Sequence, residues 1–379
     1  MTQAVADQRG RPLGVLRLSL TARCNLACPY CLPDGQEPPG LLTLEQRLAV
    51  IGAAVALGAR SLRLTGGEPL LNPQLESLIA AAGRWRRAPD ATADRVGVGG
   101  AARGLQEIAL TSNGALLSAE RARALRTAGL DRLTLSLDGA DGAAVAAMAG
   151  LAGGVPAGEV LLAKVLAAIE HARAAGFDPA QGALKLNAVI QRGRNDDQLL
   201  PLAALARERG VELRLIEFMD VGNRNGWRPE AVLSAAEMVE AIGQRWPLDP
   251  LGRSAHGTAR RWRYRDGGGA KGEGGGAHLA VVASVSAPFC GDCNRLRVTA
   301  DGIAYTCLFA APGSGLDLRP WLAPGTPPQA LRQALADLWQ QRTDRWSEER
   351  MATWERGAGD EDHPAPAIPA HAEMAYLGG

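Results

Sequence analysis

The sequence predicts an α/β fold: a partial, six-unit β/α barrel of the TIM type with a smaller C-terminal α+β domain. Three observations support this prediction. Six short β-type runs alternate with helical patterns up to about residue 217, glycines stop the helical patterns, and the alternation ends past Trp227. Repeated βα units indicate parallel strands joined by crossover helices. Because six units are two fewer than a closed eightfold barrel contains, an open barrel is expected.

The six units follow one another in chain order. The β-type runs cover residues 15–20, 61–64, 107–110, 132–135, 183–190 and 212–216. The helical patterns cover residues 43–57, 118–128, 159–175 and 196–208. Residue types that start or end helices flank these patterns, namely Ser118 and Asp196 as N-caps and Gly58, Gly129, Gly176 and Gly210 as stops.

The pattern beyond Trp227 predicts a smaller domain appended to the barrel. Helices are expected over residues 234–246 and 328–342, and strands near residues 261–264, 278–285, 295–299 and 303–306. We therefore divide the chain into a barrel over residues 10–246, a C-terminal domain over residues 247–345, and an extended tail over residues 346–379 that ends in Gly-Gly.

Three Gly/Ala-rich segments interrupt the pattern, at residues 87–104, 267–276 and 357–372. Such composition buries too little apolar surface to offset the entropy of ordering, so flexible surface insertions are expected. Residues 267–276 could instead form a phosphate loop. They lack the GxxxxGK[ST] order of such loops, however, and no helical pattern follows them.

Composition and charge argue against several classes of protein. The 379 residues are 46% hydrophobic and carry a formal net charge of +1, so bulk charge gives no support to a nucleic-acid or membrane partner. No apolar run approaches the roughly 20 residues of a membrane-spanning helix. The first residues lack the apolar stretch of a secretory signal. A cytoplasmic location is expected by elimination.

The six cysteines fall into two groups of three, which are Cys24, Cys28 and Cys31, and Cys290, Cys293 and Cys307. A secreted protein would spread its cysteines as a disulfide framework, whereas clustering at short spacings indicates metal ligands. Three thiolates can hold a cubane iron–sulfur cluster and leave its fourth iron open. Structural zinc is the alternative, but it normally needs four protein ligands. We therefore predict two [4Fe–4S] clusters.

The second group lies in FCGDCNRLRVTADGIAYTCLF, where a turn at Asp301-Gly302 would form a hairpin that returns Cys307 beside the CxxC pair. Arg295 and Arg297 alternate on one strand face of this hairpin. They could simply be a solvated strand surface. Beside an open cluster, paired guanidiniums suit a polyanion, because Arg binds phosphate in a bidentate manner.

Further cations lie within barrel strands, at Arg17, Arg63 and Lys185. A cation inside a barrel is costly unless it is paired, so these residues predict an anionic ligand there. With a net charge near zero, a pocket rich in positive charge favours a small phosphorylated substrate over a nucleic-acid chain.

The segment CNLACPYC resembles the CxxxCxxC signature of the radical SAM enzymes, with the aromatic Tyr30 before the last cysteine. In that family S-adenosylmethionine (SAM) binds the open iron and is split by one electron into methionine and a 5′-deoxyadenosyl radical. The resemblance extends to TGGEPLL, LTLSLDG and IEFMD. It implies SAM contacts at Tyr30, Gly66, Gly67, Glu68, Ser136 and Met219.

Each of these shorter motifs has an ordinary structural explanation: a turn tripeptide, a helix cap or a core methionine. Their shared position at the carboxyl ends of successive strands favours the functional interpretation, because barrel active sites are built there.

The chain more closely resembles the GTP 3′,8-cyclases of molybdenum cofactor biosynthesis, a branch of the radical SAM family, over about residues 10 to 345. Matching stretches include RLTGGEPLL, LTSNG, LNAVIQRGRND and IEFMDVGNRNGW. The resemblance implies that the deoxyadenosyl radical abstracts hydrogen from C3′ of GTP, after which that carbon bonds to C8 of guanine. It also implies that the second cluster holds the guanine base, and that GTP contacts Arg17, Arg63, Thr111, Lys185, Arg295, Leu296 and Arg297.

The sequence ends in Gly378-Gly379, like the double-glycine tail of that family. The tail could be a frayed end or a carrier tail awaiting adenylation. The resemblance favours a third interpretation, in which Gly378 and Gly379 enter the active site and help to complete it. An Ala/Pro/Gly-rich extension before the tail departs from the family pattern.

The resemblance also implies partners. These are GTP as substrate, an external one-electron donor of the flavodoxin or ferredoxin type, a downstream enzyme that forms the pyranopterin, and a homodimer. No nucleic acid and no membrane are expected. Two alternatives stay open. One is a radical SAM enzyme with an auxiliary cluster that acts on a peptide, and the other is a zinc-stabilised module without catalysis.

Overall fold

The computed structural model of the chain describes residues 5–33, 35–86, 104–268, 277–350 and 371–377. Twelve strands of these residues form one sheet. In chain order they are β1 Val15–Ser19, β2 Ser61–Thr65, β3 Glu107–Ser112, β4 Arg132–Ser136, β5 Leu184–Ile190, β6 Glu212–Glu217, β7 Leu248–Gly252, β8 Arg260–Tyr264, β9 His278–Val282, β10 Arg295–Val298, β11 Ile303–Tyr305 and β12 Leu316–Asp317.

The helices of the described residues cover the six predicted positions and add three. They are α1 Leu44–Leu57, α2 Leu75–Ala82, α3 Ala119–Ala128, α4 Gly142–Ala149, α5 Gly154–Ala174, α6 Leu199–Glu208, α7 Ala235–Arg245, α8 Pro328–Gln340 and α9 Met374–Leu377. The three additions are α2, α4 and α9. Residues 346–350 are also helical. The sequence missed α2, which has no side-chain N-cap, and α4, whose Gly/Ala-rich sequence was not recognised as a helix.

The sheet order is β12-β11-β10-β1-β2-β3-β4-β5-β6-β9-β8-β7. The six strands of the βα units are parallel neighbours in chain order, and β10 and β9 join them in parallel at either side. The predicted α/β class with an open, six-unit barrel is therefore confirmed. The strands of the C-terminal part do not form a separate sheet. They extend the barrel sheet at both edges, where β1 and β6 offer free backbone groups.

Local sequence explains where several helices begin and end. Thr43 and Gln46 form a capping box at α1, and the Ser118 side chain accepts a hydrogen bond from the backbone of Arg121 at α3. Gly129 follows α3 with a left-handed φ of 103°. The predicted N-cap at Asp196 is wrong, because residues 196–198 form a 3-10 turn before α6 and Asp196 accepts a bond from Gly193 instead.

Alternation along the strands separates the core from the site. In β1, Leu16 and Leu18 are fully buried in the main hydrophobic cluster, and Arg17 points to the opposite face. The strand register then aligns Arg17 with Arg63 of β2 and with Arg297 of β10. Because the leucines face the helices, the arginines that alternate with them lie on the inner face of the sheet. The strand register then places arginines of neighbouring strands side by side.

Among the described residues, no single helix is long and apolar enough to cross a membrane. One pair, α4 and α5, passes that test together by length and composition alone, and it is bent by 95°.

Candidate functional site

Two cavities lie against the inner face of the sheet, each with about 1250 Å³ of empty volume including space open to solvent. The first, here the acidic cavity, is lined by Cys24, Cys28 and Cys31. The second, here the arginine cavity, is lined by Cys290, Cys293 and Cys307. The two cavities share four lining residues, which are Thr111, Asn187, Ile216 and Met219. Molecules bound in the two cavities would therefore meet at this common wall.

The first cysteine group lies in the loop that leaves β1. All three thiols are free, and the backbone NH of Cys31 donates to the carbonyl of Cys28. The Nδ2 atom of Asn113 lies 3.8 Å from the sulfur of Cys24 and orients this loop from the end of β3. Within the described ranges no three His, Cys, Asp or Glu side chains are grouped to hold one metal ion. The donor set, three thiolates without a fourth protein ligand, fits a cubane cluster with one open iron.

Glycines let the loop after β2 lie directly on this cysteine loop. A Cβ atom at Gly67 would stand 2.1 Å from the carbonyl oxygen of Arg23, and one at Gly66, whose φ is 147°, would stand 2.5 Å from that of Thr21. The backbone NH groups of Gly67 and Glu68 donate to these same two carbonyls at 2.8 Å. Only glycine permits this close approach, which brings the GGE motif to the wall of the acidic cavity.

Glu68 is a buried carboxylate already held by the protein. It accepts hydrogen bonds from the backbone of Leu70 and Asn113 and from the hydroxyl of Ser112. Burial raises the pKa of Glu68 to about 7 despite these bonds. The carboxylate therefore fixes the loop after β2 and also contributes a titratable acid to the cavity wall.

The acidic cavity contains two more carboxylates that the sequence reasoning missed, Asp138 and Glu217. Asp138 stands two residues after Ser136 in the SLD motif, and burial raises its pKa to about 6. Glu217 is held by four donors, from Ala235, Val285 and Ser286. Of the described residues that line this cavity, three are acidic and none is Lys, Arg or His. Such a lining suits a cationic ligand.

The predicted SAM contacts converge on the acidic cavity. Residues from three loops and from the end of β4 line it together, and they are Tyr30, Gly66, Gly67, Glu68, Ser136 and Met219. None of their mutual distances follows from the sequence. It placed them at the ends of successive strands, and parallel pairing brings those ends to one edge.

The arginine cavity has the opposite charge. Its described lining contains seven arginines and one carboxylate, Asp344. The arginines are Arg17, Arg63, Arg132, Arg214, Arg295, Arg297 and Arg342. Burial and the neighbouring guanidiniums lower the pKa of Arg63 to about 9 and that of Arg297 to about 10. So dense a group of cations is stabilised by a bound polyanion, to which guanidinium groups donate in pairs.

Several buried polar atoms of this region have no hydrogen-bond partner among the described residues. They are Nε of Arg63, Nε of Arg132 and Oδ1 of Asn187. Buried polar groups in proteins are normally satisfied, so these atoms are suited to contact a ligand. Asn187 lies on the wall that both cavities share, and the sequence reasoning did not single it out.

The second cysteine group lies between two arginines. Nη2 of Arg295 donates to the sulfur of Cys293 at 3.3 Å, and Nη1 of Arg342 donates to the carbonyl of Cys293 at 2.7 Å. Burial alone would raise the pKa of Cys293, but these two cations lower it to about 6. The predicted turn at Asp301-Gly302 is present, with Gly302 at a φ of 91°, and the hairpin of β10 and β11 brings Cys307 to the same cavity.

Two predicted substrate contacts are not on the cavity wall. Nζ of Lys185 forms a 3.0 Å ion pair with Glu212, and Lys185 does not line either cavity. The side chain of Leu296 is fully buried in the hydrophobic core. The other predicted contacts, Arg17, Arg63, Thr111, Arg295 and Arg297, all line the arginine cavity.

The C-terminal segment reaches both cavities. Met374 lines the acidic cavity, and Nη1 of Arg297 donates to the carbonyl of Leu377 at 3.3 Å. The Tyr376 hydroxyl donates to Asp301 at 2.6 Å. Gly378 and Gly379, which the sequence predicts to act in the site, lie outside the described residues, as do most residues of the three Gly/Ala-rich segments.

Two family models and several relatives match this chain. Residues 18–206 match the model of the radical SAM superfamily, and residues 211–348 match that of Molybdenum Cofactor Synthesis C. The chain is 60% identical to a GTP 3′,8-cyclase of Synechococcus sp. (strain CC9605), over 99% of this chain and 98% of the relative. It is 44% identical to a GTP 3′,8-cyclase of Xanthomonas campestris pv. campestris (strain B100), over 92% of this chain and 94% of the relative.

Among solved structures, the fold is similar to that of Streptococcus suis SuiB bound to S-adenosylmethionine. The TM-score is 0.57 at 13% identity, with 91% of this chain and 68% of that chain covered. At this identity the likeness concerns the fold alone.

Proposed function

This chain belongs to the family of GTP 3′,8-cyclases, which are radical SAM enzymes, and from that premise we propose how its two cavities divide the reaction. The acidic cavity takes SAM and the arginine cavity takes GTP. The observation that carries this proposal is the separation of charge. Among the residues that the structure describes, three carboxylates line one cavity and seven guanidiniums line the other, and the cavities share a wall.

The cofactors implied by the family are two [4Fe–4S] clusters and SAM. Cys24, Cys28 and Cys31 would hold one cluster, and Cys290, Cys293 and Cys307 would hold the other. When bound, the first cluster and SAM supply a 5′-deoxyadenosyl radical that abstracts the hydrogen at C3′ of GTP, which precedes formation of the C3′–C8 bond in the first step of molybdenum cofactor biosynthesis.

The acidic cavity would orient SAM through charge and close backbone approach. SAM carries a positive sulfonium and an ammonium group, and the carboxylates of Glu68 and Asp138, when ionised, would attract these charges from the cavity wall. Gly66 and Gly67 let the loop after β2 pack directly on the cysteine loop, which places both glycines on the wall of the cavity. Met219 would contact SAM from the shared wall.

The arginine cavity would bind the triphosphate. Arg297, Arg17, Arg63 and Arg132 belong to one row of the sheet, linked by the strand register through Ala109. Guanidiniums on adjacent strands can each pair with phosphate oxygens and so hold an extended polyphosphate chain. With the phosphates held there, the ribose would lie toward Thr111 and Asn187, on the wall that faces SAM.

The remaining parts of the proposal rest on the family resemblance. Gly378 and Gly379 would complete the active site beyond Leu377, whose contact with Arg297 supports that direction. Lys185 and Leu296 would contribute to GTP binding, Lys185 from its position beside Glu212. A flavodoxin- or ferredoxin-type protein would donate the electron, and a separate enzyme would convert the product to the pyranopterin. A homodimer in the cytoplasm completes the proposal.

The proposal is tested by anaerobic reconstitution. Cluster-loaded protein is mixed with GTP, SAM and a strong reductant, and the nucleotides are separated and analysed by mass spectrometry. We expect 5′-deoxyadenosine together with a 3′,8-cyclised guanosine nucleotide. Formation of 5′-deoxyadenosine without any cyclised nucleotide would rule out GTP as the substrate. One zinc ion per cysteine group, in place of about four iron atoms, would favour the non-catalytic alternative.

A further inference from the structure

The loop that follows β6 receives the C-terminal segment of residues 371–377. Nδ2 of Asn223 donates to the carbonyl of His371 at 2.7 Å, and the backbone NH of His371 donates to Oδ1 of Asn223 at 2.9 Å. One asparagine side chain thus pairs with both backbone groups of a single residue. The next residue, Ala372, donates to the carbonyl of Ala310 at 2.9 Å, and both His371 and Ala372 are buried.

The side chain of Glu373 occupies the same loop. Its Oε1 atom accepts a 3.1 Å hydrogen bond from the backbone of Asn223 and lies 3.4 Å from Nε of Arg224. Gly222 leaves the space that this carboxylate fills, since a Cβ atom there would stand 2.3 Å from Oε2 of Glu373. The three consecutive residues Gly222, Asn223 and Arg224 therefore each contribute to holding residues 371 and 373.

Arg224 contacts a second element that belongs to the acidic cavity. Its Nη2 atom donates to the carbonyl of Leu32 at 2.7 Å, directly after Cys31. Met374, which follows Glu373, lines the acidic cavity. Arg224 consequently bridges the cysteine loop and the C-terminal segment, next to the point where that segment becomes part of the cavity wall.

We propose that residues 222–224 are a seat that positions the C-terminal segment, and that seating Glu373 places Met374 to complete the acidic cavity. Asn223, Arg224 and Glu373 are positioning residues in this scheme, because they act through Met374 on the ligand. The assignment of SAM to that cavity rests on the proposed function, whereas the seat itself does not.

The other end of the segment is fixed independently. The Tyr376 hydroxyl bonds Asp301, and the Ser19 hydroxyl donates to the carbonyl of Tyr376 at 3.2 Å. The segment is thus held at residues 371–373 and again at residues 376–377, with Met374 between the two anchors. Releasing the first anchor frees Met374 without removing any residue that lines the arginine cavity.

The seat is tested first by hydrogen–deuterium exchange of the full-length protein. Gly222→Ala displaces the Glu373 carboxylate, and Gly226→Ala is its matched control, because Gly226 also has a positive φ but nothing within 4 Å of a Cβ atom. We expect the amides of residues 371–377 to exchange about tenfold faster in Gly222→Ala, through loss of hydrogen bonds at the seat. We expect the control to match the wild type. Glu373→Gln, which leaves the backbone unchanged, should exchange faster as well.

The effect on the cavity is measured as the SAM dissociation constant of the cluster-loaded variants. Glu373→Gln and Arg224→Met should bind SAM about fivefold more weakly, since the unseated Met374 no longer restricts the cavity. Arg224→Lys, which retains a cation opposite Glu373, should recover most of the affinity.

If the amides of residues 371–377 exchange at the wild-type rate in both Gly222→Ala and Glu373→Gln, residues 222–224 do not position the C-terminal segment. If exchange is faster but the SAM dissociation constant is unchanged, the seat positions the segment without affecting the acidic cavity. If the wild type binds SAM but forms no cyclised product from GTP, the proposed function is wrong. The exchange rates and the SAM dissociation constants still test whether residues 222–224 position the C-terminal segment.

Discussion

The hydroxyl of Tyr30 donates a 2.7 Å hydrogen bond to Oδ2 of Asp138, 108 residues further along the chain. The other oxygen of the same carboxylate, Oδ1, accepts from the backbone of Val189 at 2.7 Å. One partly buried acid therefore ties the cysteine loop after β1 to β5 from its own position after β4. Since these elements form one wall of the acidic cavity, Asp138 both shapes that wall and gives it negative charge.

Replacing Asp138 with Asn should weaken SAM binding. The amide oxygen can still accept from the backbone of Val189 and the amide NH2 can donate to the Tyr30 hydroxyl, but the negative charge facing a cationic ligand is lost. We expect the SAM dissociation constant to rise about tenfold, which corresponds to about 1.4 kcal/mol. Equilibrium dialysis of cluster-loaded protein measures this change. Asp178→Asn, an exposed site, serves as the control. Equal affinities in the two variants would remove Asp138 from the SAM site.

Replacing Arg63 with Met should weaken GTP binding and leave SAM binding intact. Arg63 lines the arginine cavity, and charge-assisted hydrogen bonds contribute about 1.5–3 kcal/mol each. We therefore expect the GTP dissociation constant to rise about tenfold to a hundredfold by calorimetry. Arg60→Met, one position before β2 on the exposed surface, is the control. A variant that loses SAM affinity instead would contradict the division of ligands between the cavities.

Replacing Glu212 with Gln should destabilise the protein. This buried carboxylate pairs with Lys185 at 3.0 Å, Arg214 at 2.7 Å and Arg261 at 2.8 Å. Removing one partner of a buried ion pair costs about 3–5 kcal/mol, and the partial exposure of Arg261 places this group near the lower end of that range. We expect a loss of this size in the free energy of unfolding by urea. Glu170→Gln, which removes an exposed pair with Arg209, should cost less than about 1 kcal/mol.

The same pair predicts how stability depends on pH. Although burial opposes it, Arg214 and Lys185 lower the pKa of Glu212 to about 2 from its ordinary 4.5. A lowered acid pKa stabilises the fold fully above the unfolded-state value, and this contribution is lost as pH falls through 4.5 toward 2. The difference in unfolding free energy between wild type and Glu212→Gln should therefore be constant from about pH 7 to 5.5 and shrink below about 4.5. A difference that grows in acid would contradict this sign.

Replacing Lys185 with Met tests a predicted GTP contact. Burial lowers the pKa of Lys185 to about 8, so the fold gains little from its charge, and Glu212 retains two arginines when Lys185 is removed. We expect a smaller loss of stability than in Glu212→Gln, because Glu212 is not left as an unpaired buried charge. If Lys185 contacts GTP, the GTP dissociation constant should nevertheless rise about tenfold. An unchanged constant would confine Lys185 to its ion pair.

Replacing one cysteine of either group should separate the roles of the two clusters. Cys290→Ala and Cys24→Ala should each lower the iron content from about eight to about four atoms per chain. We expect reductive SAM cleavage to be retained better in Cys290→Ala, because Cys24 lines the acidic cavity and Cys290 lines the arginine cavity. Chromatographic measurement of 5′-deoxyadenosine tests this expectation, and the reverse order would exchange the roles of the clusters.

Much of the site was predictable because it follows regular elements. Strand alternation located the six strands of the βα units, although the helix α2 between β2 and β3 was missed, and motif position placed Tyr30, Ser136 and Met219 at strand ends. Asn187 and Asp138 were missed because each lies in a stretch that was already explained, Asn187 as part of a strand and Asp138 as part of a turn. Neither residue type is unusual at such a position. Lys185 was expected to face an anionic ligand, whereas in the structure it pairs with a carboxylate on the neighbouring strand, and this pairing depends on the register of β5 and β6.

The sequence by itself determined the fold class, the two cysteine groups and the presence of cations in the strands, because these depend on spacing and periodicity along the chain. The tertiary structure decided which charges share a cavity. The register aligns Arg17, Arg63 and Arg297, although Arg297 is more than two hundred residues away, because β10 pairs with the free edge of β1. It also decided that three carboxylates line one cavity and seven arginines the other, since contacts between distant segments depend on strand order and loop packing.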